Sequence, residues 1–260
     1  MTTRSTLRRA DRVSTILARL AHEGSVDAGR LATEFAVSAA TIRRDLQMLE
    51  DQKLLARTHG GAVAADVEYE LPVLYRSGQH REQKRAIAWC AAARLPHGPL
   101  TVGFTGGTTT YEVARLVAER FDLTVITNAL NIAVELALRP RLKLIMTGGV
   151  NRTQSYELVG PLADGVLSGV NIGVAVVGVD GISPRGLSTH DEIEAHTNRA
   201  MIARADRVMV VADGSKVGQV FLARICPITD VHELITDSSA DPAALDAIRR
   251  AGTEVVIADA

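Results

Sequence analysis

A nine-residue stretch near the N-terminus has the residue types and spacing of a helix that reads DNA. It runs from Ser38 to Leu46 as Ser-Ala-Ala-Thr-Ile-Arg-Arg-Asp-Leu. Ser38 is a good N-cap, because its hydroxyl can accept a hydrogen bond from a backbone N–H of the first turn. Ile42, Leu46 and Leu49 repeat at i, i+4 and i+7, which predicts one buried stripe.

The rest of this helix surface carries small, polar and basic residues. Phosphates favour the positive end of a helix, and an arginine can form two hydrogen bonds with one guanine. The alternative is an ordinary amphipathic helix with a solvated arginine pair. We predict DNA contacts, which the flanking sequence favours, for Ser38, Ala40, Thr41, Arg43, Arg44 and Gln47.

The neighbouring segments complete a helix-turn-helix. A first helix is predicted over 7–21, with Gly24 at its end, and Asp27 is a good N-cap for a second helix over 28–35. A tight turn over 36–38 then leads into the arginine-bearing helix. Two short helices joined in this way, with the second basic on its outer face, form a DNA-binding motif.

A wing is predicted after this motif. A strand begins at Leu54, and Gly60-Gly61 permits a sharp chain reversal. Arg57, Thr58, His59 and Gly60 would then contact phosphate or the minor groove. A solvated turn position remains the alternative for His59.

Composition supports a small basic head on an acidic body. The chain has 260 residues, of which 47% are hydrophobic and only 3% aromatic, so aliphatic residues must form the core. Residues 1–61 hold ten Lys and Arg against seven Asp and Glu, a net of +3, whereas residues 62–260 hold 19 against 23, a net of −4. Two distant cysteines and the lack of a leader or long apolar run predict a cytoplasmic protein without a membrane span.

The remainder reads as a linker and an α/β domain. We expect domains at 5–63 and 80–260, joined by a linker over 64–79 that contains Pro72 and Gly78. After a helix over 80–95, short apolar strands alternate with helices. This alternation predicts a mainly parallel sheet with helices on both faces. The predicted strands span 100–104, 123–127, 142–146, 172–179, 208–212, 234–236 and 255–258, and the later helices span 108–120, 132–138, 192–205 and 242–251.

Polar and glycine residues follow several of these strands. Thr105-Gly106-Gly107-Thr108-Thr109 connects the first strand to a helix, where backbone amides and threonine hydroxyls can cradle a phosphate. The loop matches neither the Walker motif nor GxGxxG, and a tight strand–helix turn is the alternative. Ligands of such sheets bind at the carboxyl ends of the strands. The further candidate residues at those ends are Asn128, Gly148, Gly149, Asp180, Gly181 and Lys216, with Asp180 alternatively stabilising its own turn.

The run from Val37 to Ala62, VSAATIRRDLQMLEDQKLLARTHGGA, closely resembles the DNA-binding signature of the DeoR family of bacterial transcriptional regulators. That family shows a valine-serine pair, TIRRDL and an HGGA after the wing, all present here in order. The resemblance implies a second domain similar in fold to ribose-5-phosphate isomerase that senses a sugar phosphate. Its matching positions include Lys84, the Gly107-Thr108-Thr109 loop, Thr127-Asn128, Gly148-Gly149, Asp180-Gly181, and Asp213 with Lys216. Many members have an aspartate before the loop, where this chain has Thr105 and Gly106.

Other chemistry receives less support from the sequence. His190 and His196 flank three acidic residues, but their spacing places them on different sides of a helix, so we predict no metal site. Glu194 and Arg199 are expected to pair on the helix surface or at a subunit contact. The sequence predicts neither a cofactor nor a catalytic residue.

We therefore predict a transcription factor, a repressor of sugar or polyol metabolism genes. Its partners would be double-stranded operator DNA, a phosphorylated sugar or polyol and further copies of itself, in a homodimer or homotetramer. The main alternative is a sugar-phosphate isomerase with a DNA-binding head. The related isomerases carry an acidic residue shortly after the aspartate-glycine pair, where this chain has Ser183, and this favours binding without turnover. A nucleotide-binding switch is disfavoured by the loop sequence.

Overall fold

The computed structural model describes residues 9–52, 54–64, 73–76, 78–120 and 122–259. It divides into two compact units, Met1–Gln79 and His80–Ala260. The predicted start of the first helix at 7–8 and most of the predicted linker over 64–79 lie outside the described residues. In the part of the chain that is described, no helix is both long and apolar enough to cross a membrane.

The first unit combines helices with a small antiparallel sheet. Its three strands are ordered β1-β3-β2. In chain order the elements are α1 (Arg9–Glu23), β1 (Ser25–Asp27), α2 (Ala28–Glu34), α3 (Ala39–Asp51), β2 (Leu55–Arg57), β3 (Gly61–Ala64) and α4 (Val73–Arg76). The predicted winged helix-turn-helix is therefore confirmed in its order of elements.

Local sequence explains why these helices begin where they do. Asp27 caps α2 by accepting a hydrogen bond from Arg30 N, and Ser38 caps α3 by accepting one from Thr41 N at 3.2 Å. Between the two helices Ala36 adopts a left-handed conformation, with φ of 53°. The stripe of Ile42, Leu46 and Leu49 is buried in the core, as its spacing predicts.

The second unit is an α/β domain with more elements than the sequence predicts. Its helices are α5 (Arg81–Arg94), α6 (Thr108–Val117), α7 (Leu130–Leu136), α8 (Pro161–Ser168), α9 (Glu192–Ile202) and α10 (Pro242–Arg250). Its strands are β4 (Leu100–Phe104), β5 (Leu123–Thr127), β6 (Lys143–Met146), β7 (Val150–Arg152), β8 (Glu157–Val159), β9 (Ile172–Val177), β10 (Gly181–Ser183), β11 (Gly186–Thr189), β12 (Ala205–Val211), β13 (Ala223–Cys226), β14 (Glu233–Asp237) and β15 (Glu254–Ala258).

Seven of these strands form a parallel sheet in the order β15-β14-β12-β9-β4-β5-β6. Apolar residues of α5, α6 and α7 pack in one core cluster, and those of α8, α9 and α10 pack in another. The mainly parallel α/β fold is thus confirmed. From β4 the chain first builds outward to β6 and then returns to place β9 on the other side of β4. The order in which strands are added therefore reverses between β4 and β9. Ligands of such folds bind at this topological switch point.

Several predicted boundaries are wrong. The helix predicted over 108–120 ends at Val117, and the one predicted over 192–205 ends at Ile202 because Ala205 already begins β12. The strand predicted over 172–179 ends at Val177. The missed elements are short and rich in glycine or polar residues: β7, β8, α8, β10, β11 and β13.

Candidate functional site

The outer surface of α3 presents the residues predicted to contact DNA. Arg43, Arg44 and Ala40 are exposed, and Thr41 is half-buried at the flank. The Ser38 hydroxyl lies 2.9 Å from Thr41 Oγ1, in addition to its capping bond. Two guanidinium groups and a small side chain therefore share the first turns of a capped helix, the end that favours an anion.

Asp45, inside the same motif, holds this helix on the rest of the unit. Its Oδ2 lies 2.6 Å from Arg12 Nε and its Oδ1 lies 3.3 Å from Arg9 Nε, both on α1. Asp45 is only 2% exposed and Arg12 only 6%. The sequence analysis gave Asp45 no role. Its spacing of i+3 from Ile42 places it on the buried face, and that was the available signal.

The wing is linked to α3 by polar contacts. Arg57 Nη1 donates a hydrogen bond to Gln47 Oε1, and the Arg57 backbone N–H donates to Glu50 Oε1 at 3.1 Å. Gln47 also donates to Glu50 and to Asp51. Two residues predicted to contact DNA, Gln47 and Arg57, therefore contact each other in the isolated chain.

The turn between β2 and β3 exposes Thr58, His59 and Gly60. The chain reverses here as predicted, although neither Gly60 nor Gly61 has a positive φ. A Cβ at Gly61 would instead lie 1.8 Å from the carbonyl oxygen of Val26, whereas one at Gly60 would come no closer than 3.7 Å to Asp27. Gly61 is thus required by the close approach of β1 and β3.

In the second unit, the carboxyl ends of β4 and β9 lie side by side at the point where the strand order reverses. The Gly178 N–H donates to Thr105 Oγ1 at 3.0 Å, and a Cβ at Gly178 would lie 2.6 Å from the carbonyl oxygen of Gly106. Gly107 has φ of 133° and precedes α6, so the chain turns sharply from strand to helix. Thr108 and Thr109 occupy the first turn of α6, whose amides have no intrahelical acceptor. The loop is therefore a sharp strand–helix turn whose first helical amides lack intrahelical acceptors.

One amide of this loop is already occupied by a side chain of the protein. The Gly106 N–H donates to Glu157 Oε1 at 2.5 Å, and a Cβ at Gly106 would lie 2.5 to 2.9 Å from the Glu157 side chain. Glu157 begins β8 and is 2% exposed. Burial, followed by the nearby charge of Glu194, raises the pKa of Glu157 well above its usual value. Glu157 was not predicted from the sequence. It lies 51 positions from Gly106 along the chain, and the apolar residues beside it were its only indication of burial.

Glu157 belongs to a larger buried polar network. Asn198 Nδ2 lies 3.2 Å from Glu157 Oε2, and Asn198 Oδ1 accepts a hydrogen bond from Asn128 Nδ2 at 3.2 Å. Asn128, at the end of β5, is completely buried. Among the residues that the structure describes, its Oδ1 has no hydrogen-bond partner. Such a buried acceptor calls for a group that could bond to it.

Further carboxylates lie beside this network. The Thr189 hydroxyl lies 2.9 Å from Asp180 Oδ2 and 2.7 Å from Glu194 Oε1. Arg152 Nη1 donates to Glu194 Oε2 at 3.0 Å, and His190 Nδ1 lies 2.9 Å from Asp180 Oδ2. Asp180 thus joins a side-chain network at the end of β11.

The other predicted residues have separate surroundings. Lys84 is buried in α5. Gly149 allows the start of β7 to approach β8, because a Cβ there would lie 2.8 Å from the Val159 carbonyl, and Gly148 has φ of 67°. Lys216 ends a short helical turn capped by Asp213. Gly181 lies against the backbone that follows this turn, since a Cβ there would be 2.5 Å from the Gln219 carbonyl.

Contacts are also seen for other residues that the sequence singles out. The predicted pairing of Glu194 with Arg199 is wrong: Glu194 is buried with Thr189 and Arg152, whereas Arg199 donates to the backbone carbonyls of Arg224 and Ile225. Five residues separate them, which places them on different faces of α9. Ser183 Oγ accepts from Arg185 N in the β10–β11 turn. In the described ranges, no three His, Cys, Asp or Glu side chains are grouped to hold a metal ion.

Comparison with known proteins matches both units. Residues 12–68 match the DeoR-like helix-turn-helix domain, and residues 79–238 match the DeoR C terminal sensor domain. The chain belongs to the DeoR family. As a member of the DeoR family it is a DNA-binding transcriptional regulator.

Relatives of this DeoR-family regulator match over most of their length. It is 37% identical over 231 residues to the transcriptional repressor AccR of Agrobacterium fabrum, covering 88% of this chain and 89% of the relative. It is 31% identical over 233 residues to the glycerol-3-phosphate regulon repressor of Escherichia coli K12, covering 89% and 92%. A solved ribose 5-phosphate isomerase from Methanocaldococcus jannaschii is 14% identical, with a TM-score of 0.39 over 55% of this chain and 56% of that chain.

Proposed function

We propose that this regulator is a repressor of sugar or polyol metabolism genes, and that a phosphorylated sugar or polyol controls its affinity for operator DNA. The observation that carries the effector assignment is the loop after β4. It carries the amides at the start of α6, and Asn128, at the end of the neighbouring strand β5, is linked to it through Asn198 and Glu157. The amides suit a phosphate, and Asn128 Oδ1, which has no hydrogen-bond partner among the described residues, suits a hydroxyl.

The proposed site extends the predicted effector residues. Thr105, Gly106, Gly107, Thr108 and Thr109 would surround the phosphate, and Asn128 and Asp180 would accept hydrogen bonds from sugar hydroxyls. Lys84, Gly148, Gly149, Gly181 and Lys216 remain proposed members of the site. The name of the Escherichia coli relative, a glycerol-3-phosphate regulon repressor, is consistent with an effector of this class.

On the DNA side, Arg43 and Arg44 would enter the major groove, and the wing with Arg57 and His59 would contact the backbone. The effector would act through a coupling free energy, by binding with different affinity to the DNA-competent and DNA-free states. Control of this kind requires that one chain has both an effector site and a DNA-binding site, and that it adopts two conformational states with different affinities for DNA. We propose a homodimer or homotetramer, because repeated half-sites require more than one α3.

DNA recognition is tested with a duplex selected by the wild-type chain from a random library. We expect Arg44→Ala to weaken binding to that duplex by about tenfold to a hundredfold, since a two-bond arginine–guanine contact contributes about 1–3 kcal/mol. Arg250→Ala is the matched control, because Arg250 is exposed at the end of α10 in the other unit. Equal affinity of the wild-type and Arg44→Ala proteins in gel shifts at several salt concentrations would refute the assignment.

The effector is tested with a thermal-shift screen of phosphorylated sugars and polyols against their unphosphorylated parents. We expect only phosphorylated compounds to raise the melting temperature, and Thr108→Val to reduce that rise because it removes a hydroxyl from the cradle. A compound that raises the melting temperature should also change operator affinity in fluorescence anisotropy. Conversion of a pentose or hexose phosphate to product would instead favour the isomerase alternative.

A further inference from the structure

The loop after β4 is not an empty cradle, because Glu157 reaches it from β8. Glu157 Oε1 accepts the Gly106 N–H, and Asn198 Nδ2 bonds to the other oxygen, so both carboxylate oxygens are held. The side chain is 2% exposed and therefore poorly screened by solvent. The carboxylate therefore accepts the hydrogen bond that this loop amide would otherwise donate to a phosphate.

We propose that the ionised Glu157 carboxylate opposes an anion at the 105–109 loop, and that anion binding there is accompanied by uptake of one proton at Glu157. The proposal rests on the effector site proposed above. It makes Glu157 the residue that sets the affinity and pH dependence of effector binding. A phosphate monoester dianion placed on the same loop would lie within a few ångströms of this carboxylate, and like charges at such distances repel strongly at low dielectric.

The groups around Glu157 determine where the proton goes. From α9 it faces Glu194 and Asn198, from β7 it faces Arg152, and from the loop it faces the Gly106 amide. Arg152 is shared with Glu194 and with Asp191, whose Oδ2 lies 3.2 Å from Arg152 Nε. Arg152 thus serves several carboxylates, whereas Glu157 accepts its hydrogen bonds from an amide N–H and an asparagine.

The network can accommodate a neutral side chain at this position. A protonated Glu157, or a glutamine, would donate where it now accepts from Asn198. Rotation of the Asn198 and Asn128 side-chain amides reverses the direction of the chain of hydrogen bonds, and Asn128 then offers Nδ2 instead of Oδ1 to a sugar hydroxyl. The Gly106 N–H keeps its acceptor at Oε1. Glu157→Gln is therefore a conservative probe that removes only the charge.

Sulfate is the appropriate probe, because it is a tetrahedral dianion whose charge is constant between pH 5 and pH 9. We expect Glu157→Gln to bind sulfate about tenfold more tightly than the wild type at pH 8, measured by thermal shift over a sulfate titration. The difference should shrink as the pH falls, because wild-type Glu157 becomes protonated. His190 and the other titratable groups are common to both proteins, so the comparison isolates Glu157.

Glu119→Gln is the matched control, with the same loss of charge on an exposed residue beyond the C-terminal end of α6. Calorimetry of wild-type sulfate binding in two buffers of different ionisation enthalpy adds a measurement that needs no variant, and we expect proton uptake that rises towards one proton as the pH passes the raised pKa of Glu157. Equal sulfate affinity of the wild type and Glu157→Gln, or binding without proton uptake, would overturn the proposal alone. Failure of sulfate to bind either protein would overturn the effector site as well.

Discussion

Arg12 Nε lies 2.6 Å from Asp45 Oδ2, and this buried ion pair joins α1 to the helix that carries the exposed Arg43 and Arg44. Asp45 is buried in the first unit, whereas Arg43 and Arg44 on the same helix are exposed. It neutralises a buried guanidinium and fixes the orientation of α3. The acidic Asp45 within a DNA-binding motif is therefore explained by its ion pairs with α1 on the inner face of the helix, and it has no place on the outer face.

We expect Asp45→Asn to destabilise the first unit by about 3–5 kcal/mol, because it removes the carboxylate charge that faces the buried Arg12 guanidinium. Tryptophan fluorescence reports on the second unit, because the only tryptophan of the chain, Trp89, lies there. Hydrogen exchange of peptides from α1 and α3 is therefore used to follow the first unit. Asp51→Asn provides the control, as Asp51 is exposed at the end of α3. Unchanged protection of α1 and α3 in Asp45→Asn would show that the ion pair does not anchor the helix.

We expect Gly61→Ala to destabilise the wing by about 1–3 kcal/mol or more, because the added Cβ would collide with the Val26 carbonyl and separate β1 from β3. Gly60→Ala should change the free energy of unfolding by less than about 0.5 kcal/mol, since its Cβ would make only an ordinary van der Waals contact, 3.7 Å from Asp27 Oδ2. Urea denaturation followed by circular dichroism compares the two variants. Similar midpoints for both would contradict the steric explanation of the second glycine.

The raised pKa of Glu157, caused mainly by burial, predicts a pH-dependent effect on stability. Protonation of Glu157 is favoured by folding, so its contribution to stability is complete below its unfolded pKa and is lost as the pH rises through its folded pKa. Glu157→Gln should therefore raise the melting temperature, relative to the wild type, more at pH 8 than at pH 5. If that difference between the two proteins were the same at both pH values, as expected for Glu119→Gln, Glu157 would not be the titrating group.

The parts of the fold that sequence predicts well depend on local signals. Ser38 caps α3 and Asp27 caps α2 because each side chain accepts a hydrogen bond from the amide three residues further on. The stripe of Ile42, Leu46 and Leu49 needs only helical periodicity. The parallel sheet follows from the alternation of apolar strands and helices, whereas its strand order was not predicted and comes from the structure.

The parts that sequence could not predict depend on contacts between distant residues. Glu157 meets Gly106 across 51 positions, through a strand of only three residues whose pattern is too short to detect. Arg199 finds backbone carbonyls on β13, so its expected partner on the same helix was wrong. The residue types at the strand ends were predictable. The distribution of the Glu157, Glu194 and Asp180 carboxylates around the loop required the packed structure.

The contact between Arg57 and Gln47 has a consequence for how DNA would be approached. Because it ties the wing to α3 before any duplex arrives, the two contact surfaces are already aligned as one rigid face, and less conformational entropy has to be lost on association. The same contact must open before either side chain can bond to a base or phosphate. Specific recognition would then exchange the Arg57–Gln47 hydrogen bond for bonds to DNA. A duplex that offers no replacement for this bond would be bound less tightly.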